Sequence, residues 1–234
     1  MSGPALEVAE VSASHSRGTG TRQVLAPLSF SLPAGQTLAI TGESGAGKST
    51  LAEIILGLRP PATGQVKVHG EAWVGPRRPV QLHQRRLVQG VPQDPSAAFV
   101  PRWSIRAFMA QAISRLVPGG NARELISMAA QLAQLEMALL DRRPQELSSG
   151  QLQRAALARA VAVQPHVLVA DEPTSALDPR TAEQVATQLF SAASLTGTTL
   201  LLVTHDPQLA ARCSRTIDIH PPQRRITHPR SFPA

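Results

Sequence analysis

The stretch GESGAGKST, Gly42 to Thr50, sets glycines at Gly42, Gly45 and Gly47 directly before Lys48, Ser49 and Thr50. The spacing G-x-x-x-x-G-K-[ST] is that of a loop folded around a polyphosphate. Glycines let the backbone N–H groups of the loop, including Glu43, Ser44 and Ala46, curl round a phosphate. A helix starting at Lys48 aims its positive end at the same point. The Lys48 ammonium can reach the β- and γ-oxygens, and the Ser49 hydroxyl can ligate Mg²⁺. The apolar TLAIT before the loop and the helically periodic KSTLAEIILGL after it supply the required strand and helix. The pattern predicts a nucleoside triphosphate site over Gly42 to Thr50.

Three further stretches fit hydrolysis. VLVADEP, Val167 to Pro173, is an apolar strand ending in two adjacent carboxylates. Such ends lie at the carboxyl edge of a parallel sheet, where nucleotides bind. Asp171 is placed to hold Mg²⁺, and Glu172, one residue further out, to polarise the attacking water. LLVTHD repeats the design and ends in His205, which can touch the γ-phosphate or the water. Gln93, in VPQDP, can sense Mg²⁺ and the γ-phosphate. LSSGQLQR, Leu147 to Arg154, opens a helix with Ser148 as N-cap. A Ser cap without a ligand accounts for Ser148 but leaves the Gly150–Gln151 pair unexplained.

These residues need a frame. ALEVAEV alternates and reads as an edge strand, followed by a Gly/Ser/Thr turn region to Thr21. QVLAPLSFSLPAG reads as a strand closed by a Pro/Gly turn, RPPATG ends the helix after the loop, and QVKVHG is another alternating strand. From about Ala97 to Val163 the periodicity is helical. Beyond it, strands and helices alternate through HVLVAD, a helix from Pro179, TTLLLVTH, a helix through Ala211 and RTIDIH. Strand–helix alternation at both ends implies a parallel α/β core with a helical insertion. The Pro-rich tail HPPQRRITHPRSFPA is expected to fray.

Composition narrows the function classes. The 234 residues carry a net charge of +7, but Lys and Arg are scattered, and aromatics at 3% with no Tyr leave no base-stacking platform. Solvated faces plus an acidic partner or a membrane surface account for the charge better than nucleic acid does. One cysteine, Cys213, excludes an internal disulfide, suits a reducing compartment and reads as a small apolar filler. The N-terminus lacks a signal pattern, and no apolar run approaches the ~18 residues of a membrane span. The chain reads as cytosolic, leaving any membrane-spanning role to another subunit.

Taken together, these stretches resemble an ABC-type ATPase, the nucleotide-binding subunit of an ATP-driven transporter, over nearly the whole chain. GESGAGKST is similar to the Walker A motif, Gln93 to the Q-loop, Leu147, Ser148, Ser149, Gly150 and Gln151 to the family signature, and VLVADEP to Walker B. Ser175, Ala176, Leu177 and Asp178 are similar to the D-loop, and His205 to the switch histidine. The resemblance implies an α/β P-loop NTPase with a RecA-like parallel sheet core, an N-terminal antiparallel β region and an inserted α-helical subdomain. It implies one domain, with core about 1–92 and 164–234 and insert about 93–163. Implied ligands are ATP and Mg²⁺, the latter on Ser49, Gln93 and Asp171. Implied partners are integral-membrane permease subunits, a second ATPase subunit whose nucleotide the signature completes, and indirectly an extracytoplasmic substrate-binding protein. The place implied is the cytoplasmic face of the inner or plasma membrane. A soluble ABC ATPase on nucleic acid or ribosomes usually has coiled-coil insertions or two cassettes, absent here; an exporter ATPase is a further alternative.

Three positions depart from the family. Ser149 replaces the middle glycine of LSGGQ, which would weaken the partner's site if that position needs close backbone approach. The usual adenine-stacking Tyr is missing, and His15 falls at the matching place. The closing segment RTIDIHPPQRRI lacks the usual Gly turn. QDPSAAFVPRWSIRAFM resembles the dipeptide, oligopeptide and nickel importer branch, with Val100 in place of an Asn before Pro101-Arg102. The missing C-terminal extension of peptide members points to nickel or metal-chelate cargo.

Overall fold

The computed structural model describes residues 3–17 and 20–222; the tail expected to fray lies largely outside them. In chain order the strands are β1 (Leu6–Arg17), β2 (Gly20–Leu32), β3 (Thr37–Gly42), β4 (Thr63–Val68), β5 (Glu71–Val74), β6 (Val88–Val91), β7 (Val167–Asp171), β8 (Thr199–Val203) and β9 (Arg215–Ile219). The helices are α1 (Lys48–Ile55), α2 (Ile105–Leu116), α3 (Ala122–Leu132), α4 (Ser149–Val161), α5 (Pro179–Thr196) and α6 (Pro207–Ala210).

Uniformly apolar strands need cover on both faces, which a parallel sheet between helical layers provides. VLVAD and TLLLV accordingly lie at the centre of a parallel five-stranded sheet ordered β6-β7-β8-β3-β9. Alternation along the strands divides the core in two. Leu168, Ala170, Leu200 and Leu202 face one way, into a cluster with the residues of α2 to α5. Val167, Val169, Leu201, Val203, Leu38 and Ile40 face the other, packing on α1 and an antiparallel sheet ordered β2-β1-β4-β5. The phosphate loop leaves β3, an interior strand paired with β8 on one side and β9 on the other. Among the described residues no helix is long and apolar enough to cross a membrane.

Several expectations are corrected. β1 is no edge strand: Leu6 pairs with Leu32 of β2 on one side and with Val68 of β4 on the other. The supposed turn to Thr21 is mostly ladder, because register shifts between Val8 and Ser14 let β1 bend and run on to Arg17. β5 and β6 were not foreseen; four residues each, EAWV and VQGV, are too short to display a period. The last helix covers Pro207–Ala210 only, and β8 stops at Val203, two residues before His205. Cys213 is half-buried against the helical cluster, and burial pushes its thiol up to about 11.

Candidate nucleotide site

Each side chain here is fixed by an element end. β3 delivers Gly42 and α1 begins at Lys48, so five residues span the turn. Gly47 is the N-cap of α1 at φ 98, and a Cβ there would lie 2.5 Å from the Val24 carbonyl oxygen of β2. Both conformation and space therefore demand glycine. No acidic residue occupies the first turn of α1, so its positive end meets no competing carboxylate there. Lys48 Nζ donates to the carbonyls of Gly42 (2.8 Å) and Glu43 (3.0 Å), which holds the ammonium over the loop.

β7 brings two carboxylates to this loop. Ser49 Oγ donates to Asp171 Oδ1 across 3.3 Å. Burial raises the Asp171 carboxyl above its ordinary value; the Ser49 hydrogen bond opposes this, and the charges of Glu172 and Glu53 add to it. A hydroxyl beside a carboxylate that is costly to ionise is a donor set suited to a hard cation such as Mg²⁺. Among the described residues no group of three His, Cys, Asp or Glu could cage a metal, so phosphate and water oxygens would complete the shell.

Glu172 sits at φ 47, a left-handed conformation rare outside glycine. Its N–H donates to the Val203 carbonyl (2.9 Å), and its Oε2 lies 2.7 Å from His205 Nδ1. The turn carrying His205 is itself pinned, since Thr204 N–H donates to the Ile40 carbonyl at 3.1 Å. Gln93 makes no hydrogen bond to Ser49 or Asp171 among the described residues. Its Nε2 donates to Ser175 Oγ (3.2 Å), which donates to the Glu172 carbonyl (3.0 Å). The entry to the insert is thus linked to Glu172 through Ser175, a role not foreseen for that residue.

Of the other predicted positions, Asp178 caps α5, its Oδ1 accepting from Thr181 N–H at 3.1 Å; these bonds lower its carboxyl. Ala176 and Leu177 lie on the turn before it. His15 is exposed on β1 opposite Arg22 and makes no hydrogen bond among the described residues. Leu147 packs on the helical core. Ser148 and Gln151 cap α4 reciprocally: Ser148 Oγ accepts from Gln151 N–H (3.3 Å), and Gln151 Oε1 accepts from Ser148 N–H (3.0 Å). No hydrogen bond joins this turn to the Lys48 loop among the described residues. Ser149 is exposed in ordinary helical conformation, whereas a Cβ on Gly150 would meet Thr181 Cγ2 at 2.4 Å. Within this chain the need for glycine falls on Gly150.

A groove of about 470 Å³ lies beside the Gln93 segment, between Leu56, Leu58, Phe108 and Leu116, with Arg85 and Arg159 in its walls. Sequence reasoning passed over Arg159; the signal was a cation inside the apolar run AALARAVAV.

A phosphate loop between a parallel strand and a helix, with paired carboxylates at the end of β7 in the same sheet, defines a P-loop nucleotide triphosphatase. Comparison with known proteins narrows the class. Residues 25–175 match the family model described as ABC transporter. The nickel import ATP-binding protein NikE of Escherichia coli O6:K15:H31 is 36% identical over 91% of this chain and 82% of its own length. NikE of Escherichia coli K12 is 37% identical over 83% and 74%. A dimeric post-hydrolysis structure of the ATP-binding cassette MJ0796 bound to ADP and Pi superposes with TM-score 0.82 at 26% identity, covering 93% of this chain and 97% of that one. CbiO1 of Clostridium perfringens, part of the complex cbiONQ, gives TM-score 0.79 at 26% identity, covering 94% and 88%. The chain belongs to the ABC transporter family, as an ATP-binding subunit and ATPase.

Proposed function

We propose that this chain energises an importer for nickel or another metal chelate from the cytoplasmic face of the membrane, as one of two ATPase subunits beneath integral permeases. The carrying observation is the separation of two half-sites. Lys48, Ser49, Asp171, Glu172 and His205 converge on one loop, while the signature turn caps only itself. A second subunit in a head-to-tail pair would bring its own signature to this ATP, and this chain's signature would serve the other. The dimeric ADP-bound cassette with the same fold supports this arrangement. We take the chain as a single domain, with core 1–92 and 164–234 and helical insert 93–163.

In this reading the loop amides and Lys48 bind and orient the β- and γ-phosphates. Ser49 and Asp171 would hold Mg²⁺, which supplies neutralisation of phosphate charge. Glu172 accepts the proton of the attacking water, and His205 fixes the carboxylate through the 2.7 Å contact. The α4 N-terminus of the partner offers backbone donors to the developing charge. Gln93 and Ser175 link movement of the insert to Glu172. Nickel as cargo rests on the two NikE relatives; di- or oligopeptide is the second reading, resting on the Gln-Asp-Pro segment alone. Uptake of nickel and of a dipeptide by cells lacking the chain, complemented with wild type or Glu172→Gln, tests both. Nickel uptake restored by wild type only is expected; uptake indifferent to the chain overturns the proposal.

A further inference from the structure

A separate cavity of about 530 Å³ opens at the edge of the parallel sheet opposite the nucleotide loop. His166 directly precedes β7 and Thr198 directly precedes β8, whereas Asp171 and Val203 end those strands. Two imidazoles and one guanidinium line it, those of His69, His166 and Arg86, and no other lining residue is ionisable. The two rings stand 4.7 Å apart, centre to centre, at 82° to each other. Neither has a hydrogen-bond or carboxylate partner among the described residues. Arg86 donates from Nε to the Val163 carbonyl (2.9 Å) and from Nη2 to Gln164 Oε1 (3.2 Å), leaving Nη1 without a partner among the described residues. His69 arrives on the two-residue hairpin between β4 and β5, where His69 (φ 51) and Gly70 (φ 79) are both left-handed. Asn-Gly is the commonest pair in such a turn, so the turn itself does not call for an imidazole. Burial holds His166 below its ordinary value, and the charges of His69 and Arg86 add to this. Such a group of like charges is unfavourable until an anion enters it.

We infer that this cavity binds the phosphate group of a small organic phosphomonoester, at a site separate from the one for ATP. The inference goes beyond the transport reading and stands without it. Arg86 already uses the Nε–Nη2 edge that would grip a carboxylate in two parallel hydrogen bonds. A tetrahedral oxyanion instead takes single donors from differing directions, and the two ring planes here are nearly perpendicular. Met128, Pro165 and Leu195 form an apolar part of the wall, and Leu195 is 76% exposed. Inorganic phosphate would leave that part wet, whereas the body of an ester covers it. A ligand held there would sit against the starts of β7 and β8, one strand length, roughly 17 Å, from the Asp171–Glu172 end.

Proton NMR of the full chain reads this site directly, because each histidine ring reports its own ionisation, and spectra of His69→Gln and His166→Gln assign the two. Sulfate, whose charge is constant across neutral pH, is the probe for ionisation. Saturating sulfate is expected to raise the His166 midpoint by about one pH unit, equivalent to about tenfold tighter binding to the protonated ring. Binding should therefore weaken as pH rises through the imidazole midpoints. Phenyl phosphate should bind about tenfold more tightly than inorganic phosphate at acidic pH, an advantage lost in Leu195→Ser. Equal affinity for the two overturns the ester and leaves free phosphate as the ligand. Both histidines are exposed, so the double variant His69→Gln/His166→Gln should fold, as a thermal melt checks, and should bind phenyl phosphate at least about tenfold more weakly. Ring midpoints unmoved by sulfate, or undiminished binding in the double variant, overturn the inference. Lys48→Ala, which disables the nucleotide loop, should leave the shifts in place; their loss would assign them to the ATP site and overturn it as well.

Discussion

Holding a side-chain-bearing residue at φ 47 costs of order 1–3 kcal/mol, and Glu172 meets that cost at the position proposed to activate water. The Val203 carbonyl, His205 and Ser175 all hold it there. In Glu172→Gln the amide keeps the shape but takes no proton. Single-turnover phosphate release is expected to fall by about 10²–10⁴-fold, with ATP binding retained by equilibrium dialysis. Asp171 makes a different prediction. Its folded carboxyl lies above the ordinary 3.8, so the native state holds the proton more tightly than the unfolded chain does. Its ionisation therefore removes stability as pH rises from 3.8 to the raised folded value, and the loss is complete above that value. Asp171→Asn should raise the Tm of the ligand-free protein by a few degrees at neutral pH. The gain should vanish below the ordinary carboxylate range, and Mg²⁺-stimulated hydrolysis should be lost. A Tm unchanged at pH 7 would remove burial as the cause.

Elements explain which parts of this design were legible beforehand. The Lys48 loop and the β7 and β8 ends were readable because each couples a uniformly apolar strand to unusual polar residues. β5 and β6 were not, because a four-residue strand carries no period, and β6 includes Gln89 and Gly90. The edge assignment of β1 failed because an alternating strand shows which face is buried but not how many neighbours it has. At the signature, sequence reasoning weighed Ser149 for its effect on a partner's site and did not foresee a constraint on Gly150 within the chain. Gly150 is the one pressed on Thr181 of α5. Gly150→Ala is expected to destabilise by about 1–3 kcal/mol in urea unfolding, and Thr181→Ser, which deletes the offending methyl, to restore part of it. Simple addition of the two effects would show that α4 and α5 can separate to accept the methyl.

Across the whole molecule the decisive property is incompleteness. Among the described residues no hydrogen bond joins the phosphate loop to the self-capped signature turn, and in the proposed sandwich each would complete a site with a second subunit. Full-length Glu172→Gln should change with Mg-ATP from a single subunit to a pair, alone or with its companion ATPase, by light scattering. Removal of Mg²⁺ with a chelator should reverse it. A single subunit under every such condition would contradict the sandwich. Most of this organisation was visible in the order of motifs along the chain. The groove was not, since Leu56, Arg85, Phe108 and Arg159 come from four separate stretches and meet only after folding.

Helix α4 runs from the signature turn to the groove. Its thirteen residues make a rod about 20 Å long, with Ser148 and Gln151 at its front turn and Arg159 near its rear. Between them Ala155, Ala156, Leu157 and Ala158 are buried, and neither glycine nor proline follows Gly150. Such a rod is a lever without a joint. On the transport reading, a displacement at the arginine end would reach the serine end undiminished, so cargo movement and fuel use would stay in step.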